Sequence, residues 1–381
     1  MLALALLQKG LQVKVFEQVS ELGEIGAGLS LPPNCVKVLK ALGLGEKVLA
    51  AANAPERGNV YHAISGNMLS ETPFKKLVDL FGEPYLQIHR ADMHEILVDA
   101  VMALDASAIH LDHEFVSFDE QHDTVTLHFS KQASLSASCL IGCDGVRSVV
   151  RDQLFGKQQA EFTGFVAWRA LVDLSKLPKK YQENRSMVKV LSQRQVVTYP
   201  MAQSTILNVA AFAEQNWTVE SWIERAEISE MHDVYKEFDE DTHLLIDAID
   251  PQQCFKWALY DRKPLESWSR GRVALMGDAA HAMLPFLGQG AAMAIEDGWY
   301  LGCLLAAEKD IVKAFEKFQA IRHERTTWVQ HESFLTGKRF GEEDVTEETF
   351  KGDRAMFTKR LFAFEPVSDC AEHIAAMHAP K

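Results

Sequence analysis

The chain has 381 residues, of which 47% are hydrophobic and 24% charged, with a formal net charge of −14. This composition is ordinary for a soluble globular protein, and the length allows two domains or one large α/β unit with an inserted sheet. The acidic balance argues against nucleic acid as a partner and against stable association with an anionic membrane surface. Six dispersed cysteines contain one close pair and no second pair, which predicts reduced thiols in a cytoplasmic protein and no metal site.

The first residues fit the end of a helix followed by a strand. Residues 2–9 are predicted to be helical, Gly10 to cap that helix, and residues 13–17 to form a strand that ends in Glu17. A doubly wound nucleotide-binding domain has a strand and a glycine turn before such a helix. Neither is present here, so we expect a chain that is truncated at its N-terminus. The apolar start is too short to cross a bilayer, which needs about 20 residues.

The remaining elements alternate between helical and strand patterns. Helices are predicted at residues 34–50, 91–104, 218–248, 290–307 and 309–340. Strands are predicted at residues 123–129, 140–144 and 273–278, and as an antiparallel sheet within residues 162–212. This order predicts an α/β fold: a Rossmann-like dinucleotide-binding domain (1–160 and 255–340), interrupted by an antiparallel-sheet substrate domain (161–254), with a helical C-terminus and a tail (341–381) that packs on the core.

The segment from residue 277 to residue 297 carries the strongest functional pattern. Asp278 ends an apolar strand, where a carboxylate can accept hydrogen bonds from a ribose hydroxyl. Gly288 and Gly290 permit close approach of the backbone to a flat ring. Gly290 and Ala291 begin a helix whose free N–H groups and dipole would stabilise an anionic ring. The alternative is a strand–loop–helix crossover that binds nothing.

This segment resembles a known family. Gly-Asp-Ala-Ala-His at 277–281, with Pro285, Gly-Gln-Gly at 288–290 and Glu-Asp at 296–297, is similar to the second flavin motif of the salicylate hydroxylase-like class A flavoprotein monooxygenases. The resemblance covers residues 3–330. Further matches occur in the same order as in the family: Glu17, the loop 25–29 with Gly28, Arg90, the Asp144 motif at 142–151, Arg169, Tyr199, Arg322 and Arg325.

The resemblance implies FAD as cofactor, NADH or NADPH as co-substrate, and hydroxylation of a small salicylate- or phenol-like aromatic compound by O2. It assigns cofactor binding to the following residues: Glu17, Gly28, Arg90, Asp144, Asp278, Gly288, Gly290 and Ala291. The candidates for catalysis are Arg169, Tyr199, His281 and Pro285.

Several of these assignments have a structural alternative. Arg169 and Tyr199 either orient a phenolate or carboxylate, or pack within the sheet. His281 either touches the pyrophosphate, gates the pocket, or caps and packs. Asp144 precedes a glycine and fits a simple turn. For Glu296 and Asp297, complementing the dipole of their helix is a sufficient reason.

The sequence departs from the family in one place and leaves other functions open. The Gly-x-Gly-x-x-Gly loop that holds the FAD pyrophosphate is absent, and Gly23, Gly26 and Gly28 have a different spacing. An isoprenoid or alkene epoxidase of the same superfamily and an inactive remnant that acts only as an interaction protein are the alternatives. A plain NAD-dependent dehydrogenase leaves the segment 278–297 unexplained. A monomer or a homodimer is expected.

Overall fold

The structure, a computed structural model, describes residues 1–23, 27–217, 223–339, 346 and 353–379. Within these residues, thirteen α-helices are numbered in chain order: Leu2–Gln8 (α1), Pro33–Ala41 (α2), Gly45–Ala51 (α3), Leu77–Phe81 (α4), Arg90–Leu104 (α5), Val149–Phe155 (α6), Ile228–Val234 (α7), Glu240–Asp247 (α8), Asp278–His281 (α9), Gly290–Ala307 (α10), Ile311–Arg339 (α11), Asp353–Phe362 (α12) and Pro366–His378 (α13). None of these described helices is both long and apolar enough to cross a membrane.

The same residues contain eighteen strands: Val15–Phe16 (β1), Gly28–Leu31 (β2), Arg57–His62 (β3), Met68–Thr72 (β4), Leu86–His89 (β5), Ile109–His110 (β6), Phe115–Gln121 (β7), Thr124–Phe129 (β8), Leu135–Ala137 (β9), Leu140–Gly142 (β10), Glu161–Asp173 (β11), Arg185–Leu191 (β12), Arg194–Met201 (β13), Ile206–Glu214 (β14), Ile223–Arg225 (β15), Phe255–Asp261 (β16), Ser269–Arg270 (β17) and Val273–Leu275 (β18). The predicted α/β fold with an antiparallel sheet and a helical C-terminus is confirmed.

Short parallel pairs bring the predicted cofactor residues to strand ends. β1 pairs with β6, and β10 pairs with β18 in a register that sets Gly142 opposite Leu275. Because parallel strands point the same way, the residues that follow β10 and β18 emerge at one edge. Asp144 and Asp278 therefore leave the sheet on the same side.

An eight-stranded sheet forms the second layer, in the order β15-β16-β11-β14-β13-β12-β3-β4. The predicted substrate domain, residues 161–254, supplies five of these strands, and β3, β4 and β16 come from outside it. One face packs on α7 and α8, where Trp168, Val209, Tyr235 and Leu245 share a buried cluster. Since side chains alternate along a strand, Arg169 and Tyr199 project from the opposite face.

Helix α10 lies at the centre of the helical layer and contacts α1, α2, α11 and α13. Its glycines permit close packing against α1, because a Cβ at Gly302 would lie 2.6 Å from Cβ of Ala5. The part of the C-terminal tail that the structure describes rests on α10 and α2 through α13.

Two predicted helices were wrong in detail. The helix predicted at residues 34–50 is two helices, since α2 ends at Ala41 and Gly43 turns the chain with a φ of +76° before α3. The helical stretch predicted at 218–248 begins outside the described residues, and its next part is strand β15, which pairs with β16. Pairing with a neighbouring strand thus outweighs the local helical pattern there. The helix predicted at 290–307 matches α10.

Candidate active site

The Asp278 carboxylate lies beside the N-terminus of α10. Asp278 follows β18 and begins α9, and its Oδ1 is 3.8 Å from the position that a Cβ of Gly290 would take. The side chain is open to solvent on one side, yet protein surrounds it elsewhere. This burial raises the pKa of Asp278, while His281 and Arg90 act in the opposite direction. The Asp278 carboxylate, an acceptor, therefore lies beside the free backbone N–H groups at the start of α10.

Arg90 approaches the same region from α5. Its backbone N–H donates to the carbonyl of Ala27 at 2.9 Å, which fixes the start of the helix, and its side chain is exposed. The guanidinium is close enough to lower the pKa of both Asp278 and Arg169. Arg90 thus interacts electrostatically both with Asp278 and with Arg169 on the face of the large sheet.

Arg169 and Tyr199 lie together on that face. Burial lowers the pKa of Arg169, Tyr199 opposes this shift, and Arg90 adds to it, while no carboxylate of the described residues contributes. Burial also raises the pKa of Tyr199, against the opposing effect of Arg169. The phenol is therefore protonated at neutral pH, next to a half-buried cation.

Gly28 lies directly against Tyr199. A Cβ at this position would be 2.4 Å from the Tyr199 hydroxyl oxygen, so only glycine lets β2 come this close. The backbone N–H of Gly28 donates to Oδ1 of Asn208 on β14 at 3.0 Å. Residues 25 and 26 of the predicted flavin-side loop lie outside the described residues.

The loop from Pro285 to Gly290 contacts the sheet through aromatic rings. Pro285 opens a 3₁₀ turn, and the Phe286 ring lies 5.3 Å from that of Phe212 and 6.0 Å from that of Phe165. Gly288 has a φ of +62°, which favours glycine, and a Cβ there would be 3.4 Å from Ser30. The loop therefore encloses the sheet face that carries Arg169 and Tyr199.

Helix α11 contacts this loop and forms hydrogen bonds to the residues just before it. Ser333 donates to the carbonyl of Leu284, and Gln330 donates to that of Ala282 at 2.9 Å. A Cβ at Gly337 would lie 2.5 Å from the Phe286 ring. The position of the loop thus depends on a helix about fifty residues further along the chain.

Glu296 and Asp297 belong to a buried ion network. Arg322 reaches Glu296 at 2.6 Å and Asp297 at 2.9 Å, and Arg325 forms two bonds of 2.9 Å to Glu296. Asn34 donates to Glu296 at 2.7 Å. Complementing the helix dipole is therefore not a sufficient reason for the two carboxylates, because they lie in the second turn of α10, fully enclosed and paired with arginines.

His281 is part of this network and not of an open pocket. Its Nε2 lies 2.5 Å from Oδ2 of Asp297, its ring packs against Trp268 at 5.1 Å, and its side chain is buried. Nδ1 has no hydrogen-bond partner among the described residues. The packing alternative for His281 accounts for these contacts.

Asp144 and Glu17 occupy other strand ends. Oδ2 of Asp144 accepts from the backbone N–H groups of Val149 and Val150 at 2.7 and 3.1 Å, the first two of α6, whose N-cap residue is Ser148. Glu17 accepts from the backbone N–H of Val19 at 3.2 Å. In the described structure, neither carboxylate bonds to the residues around Arg169.

A separate surface cavity of about 640 Å³ has Arg262, Asp261 and Glu161 in its wall. None of the residues predicted for cofactor binding or catalysis lines it. Its wall carries both signs of charge, which selects no class of ligand.

Sequence reasoning missed the contributions of Asn208, Phe212 and Phe286. The signal for the first two was present, because Leu207, Val209 and Ala211 alternate with them and mark the opposite face. Phe286 had no such signal, since its contacts span loop, sheet and α11.

The residues around Asp278 fit one half of an FAD molecule. The exposed carboxylate can accept from ribityl hydroxyls, and the N-terminus of α10 can face the flavin ring. In the connecting loop, Oε1 of Gln289 is buried and has no hydrogen-bond partner within the described chain. An N–H of a bound ring would satisfy such an acceptor.

Comparison with known proteins gives the family. The model of the FAD binding domain matches residues 1–328. The chain is 34% identical to 3-hydroxybenzoate 6-hydroxylase of Polaromonas naphthalenivorans (strain CJ2) over 90% of this chain and 86% of that protein. It is 32% identical to 6-hydroxynicotinate 3-monooxygenase of Pseudomonas fluorescens over 85% of each chain.

A solved salicylate hydroxylase–substrate complex is similar in fold, with a TM-score of 0.81 and 26% identity over 98% of this chain and 94% of that one. Klebsiella pneumoniae HpxO, solved with FAD and uric acid, has a TM-score of 0.82 at 22% identity, over 98% of this chain and 92% of that one, which shows the shared fold. From the family match and these relatives, the chain belongs to the class A flavoprotein monooxygenases, the FAD-dependent aromatic hydroxylases.

Proposed function

We propose that this protein hydroxylates a small aromatic compound that carries an anionic group, with FAD as cofactor, NADH or NADPH as electron donor and O2 as oxygen source. The observation that carries the proposal is Arg169, a half-buried cation that no described carboxylate neutralises, next to a protonated Tyr199. A buried charge without a counter-ion is costly, so this position favours an anionic ligand. The related enzymes named above act on hydroxybenzoate and hydroxynicotinate, which are such anions.

The cofactor would be held at the carboxyl edge of the parallel strands. Asp278 and the N-terminus of α10 would bind it on one side, with Arg90 and Gly28 between it and the sheet. Bound FAD would supply the redox and oxygen chemistry, which no side chain can perform. Glu17 and Asp144, at neighbouring strand ends, remain proposed cofactor contacts.

The remaining steps belong to the side chains of this chain. Arg169 would bind the carboxylate of the substrate through charge-assisted hydrogen bonds, which orients the ring. Tyr199 would donate its hydroxyl proton in a hydrogen bond to a substrate oxygen, and its raised pKa keeps that proton in place. Phe165, Phe212 and Phe286 would exclude water from the reacting carbon. Pro285 would set the position of Phe286, and His281 would stabilise the loop from the side of the buried ion network.

The cationic Arg169 also distinguishes the proposed hydroxylation from epoxidation of an alkene. An isoprenoid substrate offers no charge to Arg169, and the desolvated guanidinium would oppose its binding. The free state of all six cysteines supports a reducing, cytoplasmic location. A monomer or homodimer stays our expectation for the assembly.

The proposal is tested with the purified protein. Its absorbance spectrum is recorded after FAD is added and free cofactor removed, and a flavin band that stays with the protein is expected. Oxidation of NADH and of NADPH is then followed with hydroxybenzoates and with matched neutral phenols, and hydroxylated product is measured. We expect product with the anionic compounds. Oxidation that yields only hydrogen peroxide with every compound would overturn the assignment.

A further inference from the structure

Two histidines face each other between α7 and α8, the helices that cover the sheet on the side away from Arg169. Nδ1 of His232 lies 3.2 Å from Nδ1 of His243, and the planes of the two rings differ by only 5°. The ring centroids are 5.4 Å apart, so both Nδ1 atoms lie between the rings and point toward each other. Two nitrogens that can act as metal ligands therefore converge on one position.

A carboxylate on the same helix as His243 orients the ring of His232. Oδ1 of Asp247, one turn after His243 on α8, lies 2.9 Å from Nε2 of His232. A carboxylate only accepts, so Nε2 of His232 carries the hydrogen and its Nδ1 carries the lone pair. Nδ1 of His243 then donates across the contact between the two rings. A carboxylate that fixes the outer nitrogen of a histidine is the usual support of a metal-binding imidazole.

The spacing of the two Nδ1 atoms matches a metal chelate. Zinc binds imidazole nitrogens tetrahedrally at about 2.0–2.1 Å, which sets two such nitrogens about 3.3 Å apart. The observed separation of 3.2 Å needs only a small rotation of the rings to direct both lone pairs at one ion. A metal ion would take the place of the hydrogen between the rings, which His243 can carry on Nε2 instead.

The pair is open to an ion from solvent. The side chain of His232 is 33% exposed and that of Asp247 is 64% exposed. Among the described salt bridges, Asp247 pairs with His232 and with no lysine or arginine, so its charge favours a cation beside it. No set of three or more His, Cys, Asp or Glu side chains within the described chain could hold a metal. Water would therefore complete the coordination of an ion held by two nitrogens.

We propose that His232 and His243 bind a divalent transition metal ion such as Zn²⁺ between α7 and α8, with Asp247 as the supporting carboxylate. Imidazole nitrogens suit zinc, nickel and copper. Cysteine spacing predicts no metal site, and it does not report on two histidines eleven residues apart that meet only in the folded chain. The ion would join the two helices on the far side of the sheet from the flavin site, so the site is independent of the proposed hydroxylation.

The first experiment titrates the FAD-loaded full chain with ZnCl2, and then with NiCl2, by calorimetry after bound metal has been removed with EDTA. One saturable site is expected, and His232→Ala and His243→Ala should each abolish it. His128→Ala is the matched control, because His128 also bonds to a carboxylate, Asp119, at 2.9 Å, but its other ring nitrogen meets Ser134 and not a second histidine. The control should bind as tightly as the unaltered chain. No saturable binding, or binding that survives in both histidine variants, overturns the proposal.

The second experiment keeps both histidines and changes their support. Asp247→Asn, at an exposed position, should weaken Zn²⁺ binding by about ten- to a hundredfold, because the carboxylate that orients His232 is lost. Zn²⁺ should also raise the Tm of the unaltered chain and of His128→Ala, since an ion that binds only the folded state stabilises it. The Tm of His243→Ala should not respond. An equal rise in Tm for His243→Ala and the unaltered chain would place the ion elsewhere and contradict the assignment.

Discussion

Nε of Arg322 donates to Oδ1 of Asp297 at 2.9 Å, and both side chains are closed to solvent. This bond joins α11 to α10, the helix that follows the loop from Pro285 to Gly290. The other oxygen of Asp297 accepts from the backbone N–H of Gly277 at 3.0 Å, so one carboxylate connects the long helix to the end of strand β18. The geometry of the candidate site therefore depends on a buried ion network.

Loss of Arg322 should strongly destabilise the protein. Arg322→Met removes a positive charge that pairs with the buried carboxylates of Glu296 and Asp297. Removing one partner of such a network costs about 3–5 kcal/mol. Urea unfolding measures the change in the free energy of unfolding. Lys313→Met, at an exposed position of the same helix, should change it by less than about 0.5 kcal/mol. Equal effects of the two variants would contradict a special role for the network.

The network should also lose stability in acid. Burial opposes ionisation, but His281 and Arg322 outweigh it and lower the pKa of Asp297 to about 2. A carboxyl whose pKa is depressed on folding stabilises the protein above its unfolded pKa of about 3.9. That contribution, about 2 kcal/mol, is lost as the pH falls from about 4 to about 2. Unfolding by urea at several pH values tests this, and Asp297→Asn should flatten the dependence in this interval.

Arg169 should determine the affinity for anionic substrates. A charge-assisted hydrogen bond contributes about 1.5–3 kcal/mol, so Arg169→Met should raise KM for a hydroxybenzoate by about ten- to a hundredfold. The KM for a matched neutral phenol should change little, because it offers no charge. Arg169→Lys should restore part of the affinity. Equal losses for charged and neutral substrates would indicate that Arg169 acts only in packing.

Tyr199 should affect turnover more than folding. Tyr199→Phe keeps the ring but removes a hydrogen bond to the substrate, which contributes about 1–2 kcal/mol and predicts a fall in kcat/KM of about five- to thirtyfold. Less hydroxylated product per NADH oxidised is expected, because a poorly oriented substrate is hydroxylated less often and more of the oxygen is released as hydrogen peroxide. Tyr181→Phe, whose hydroxyl bonds to the carbonyl of Asp241 on the opposite face of the sheet, is the control. Activity should survive in that variant.

Gly28 should tolerate no side chain. Gly28→Ala places a Cβ 2.4 Å from the Tyr199 hydroxyl and 2.7 Å from the sulfur of Met201, so both must move. Overpacking of this kind costs about 1–3 kcal/mol, and the displaced phenol should lower kcat as well. Gly23→Ala is the matched control, because nothing lies within 4 Å of its Cβ position. A Gly28→Ala enzyme with unchanged kcat would contradict the placement of Tyr199 at the substrate.

The amino-acid sequence alone determined the local elements of the cofactor side. The apolar run before Asp278, the glycines at 288 and 290 and the helical period that follows are encoded within about thirty neighbouring residues, and the structure has β18 and α10 there. The alternation within residues 162–212 likewise predicted an antiparallel sheet, because a strand records its two faces in successive residues.

Only the tertiary structure decided what the charged residues of these elements do. Glu296 and Asp297 meet Arg322 and Arg325 from a helix that begins later in the chain, and Asp144 bonds to the helix that follows it. The addition of β3 and β4 to the large sheet, and the contact between Gly28 and Tyr199, join segments more than a hundred residues apart. Periodicity reports which face of an element is buried, but the partner on that face depends on packing between distant segments.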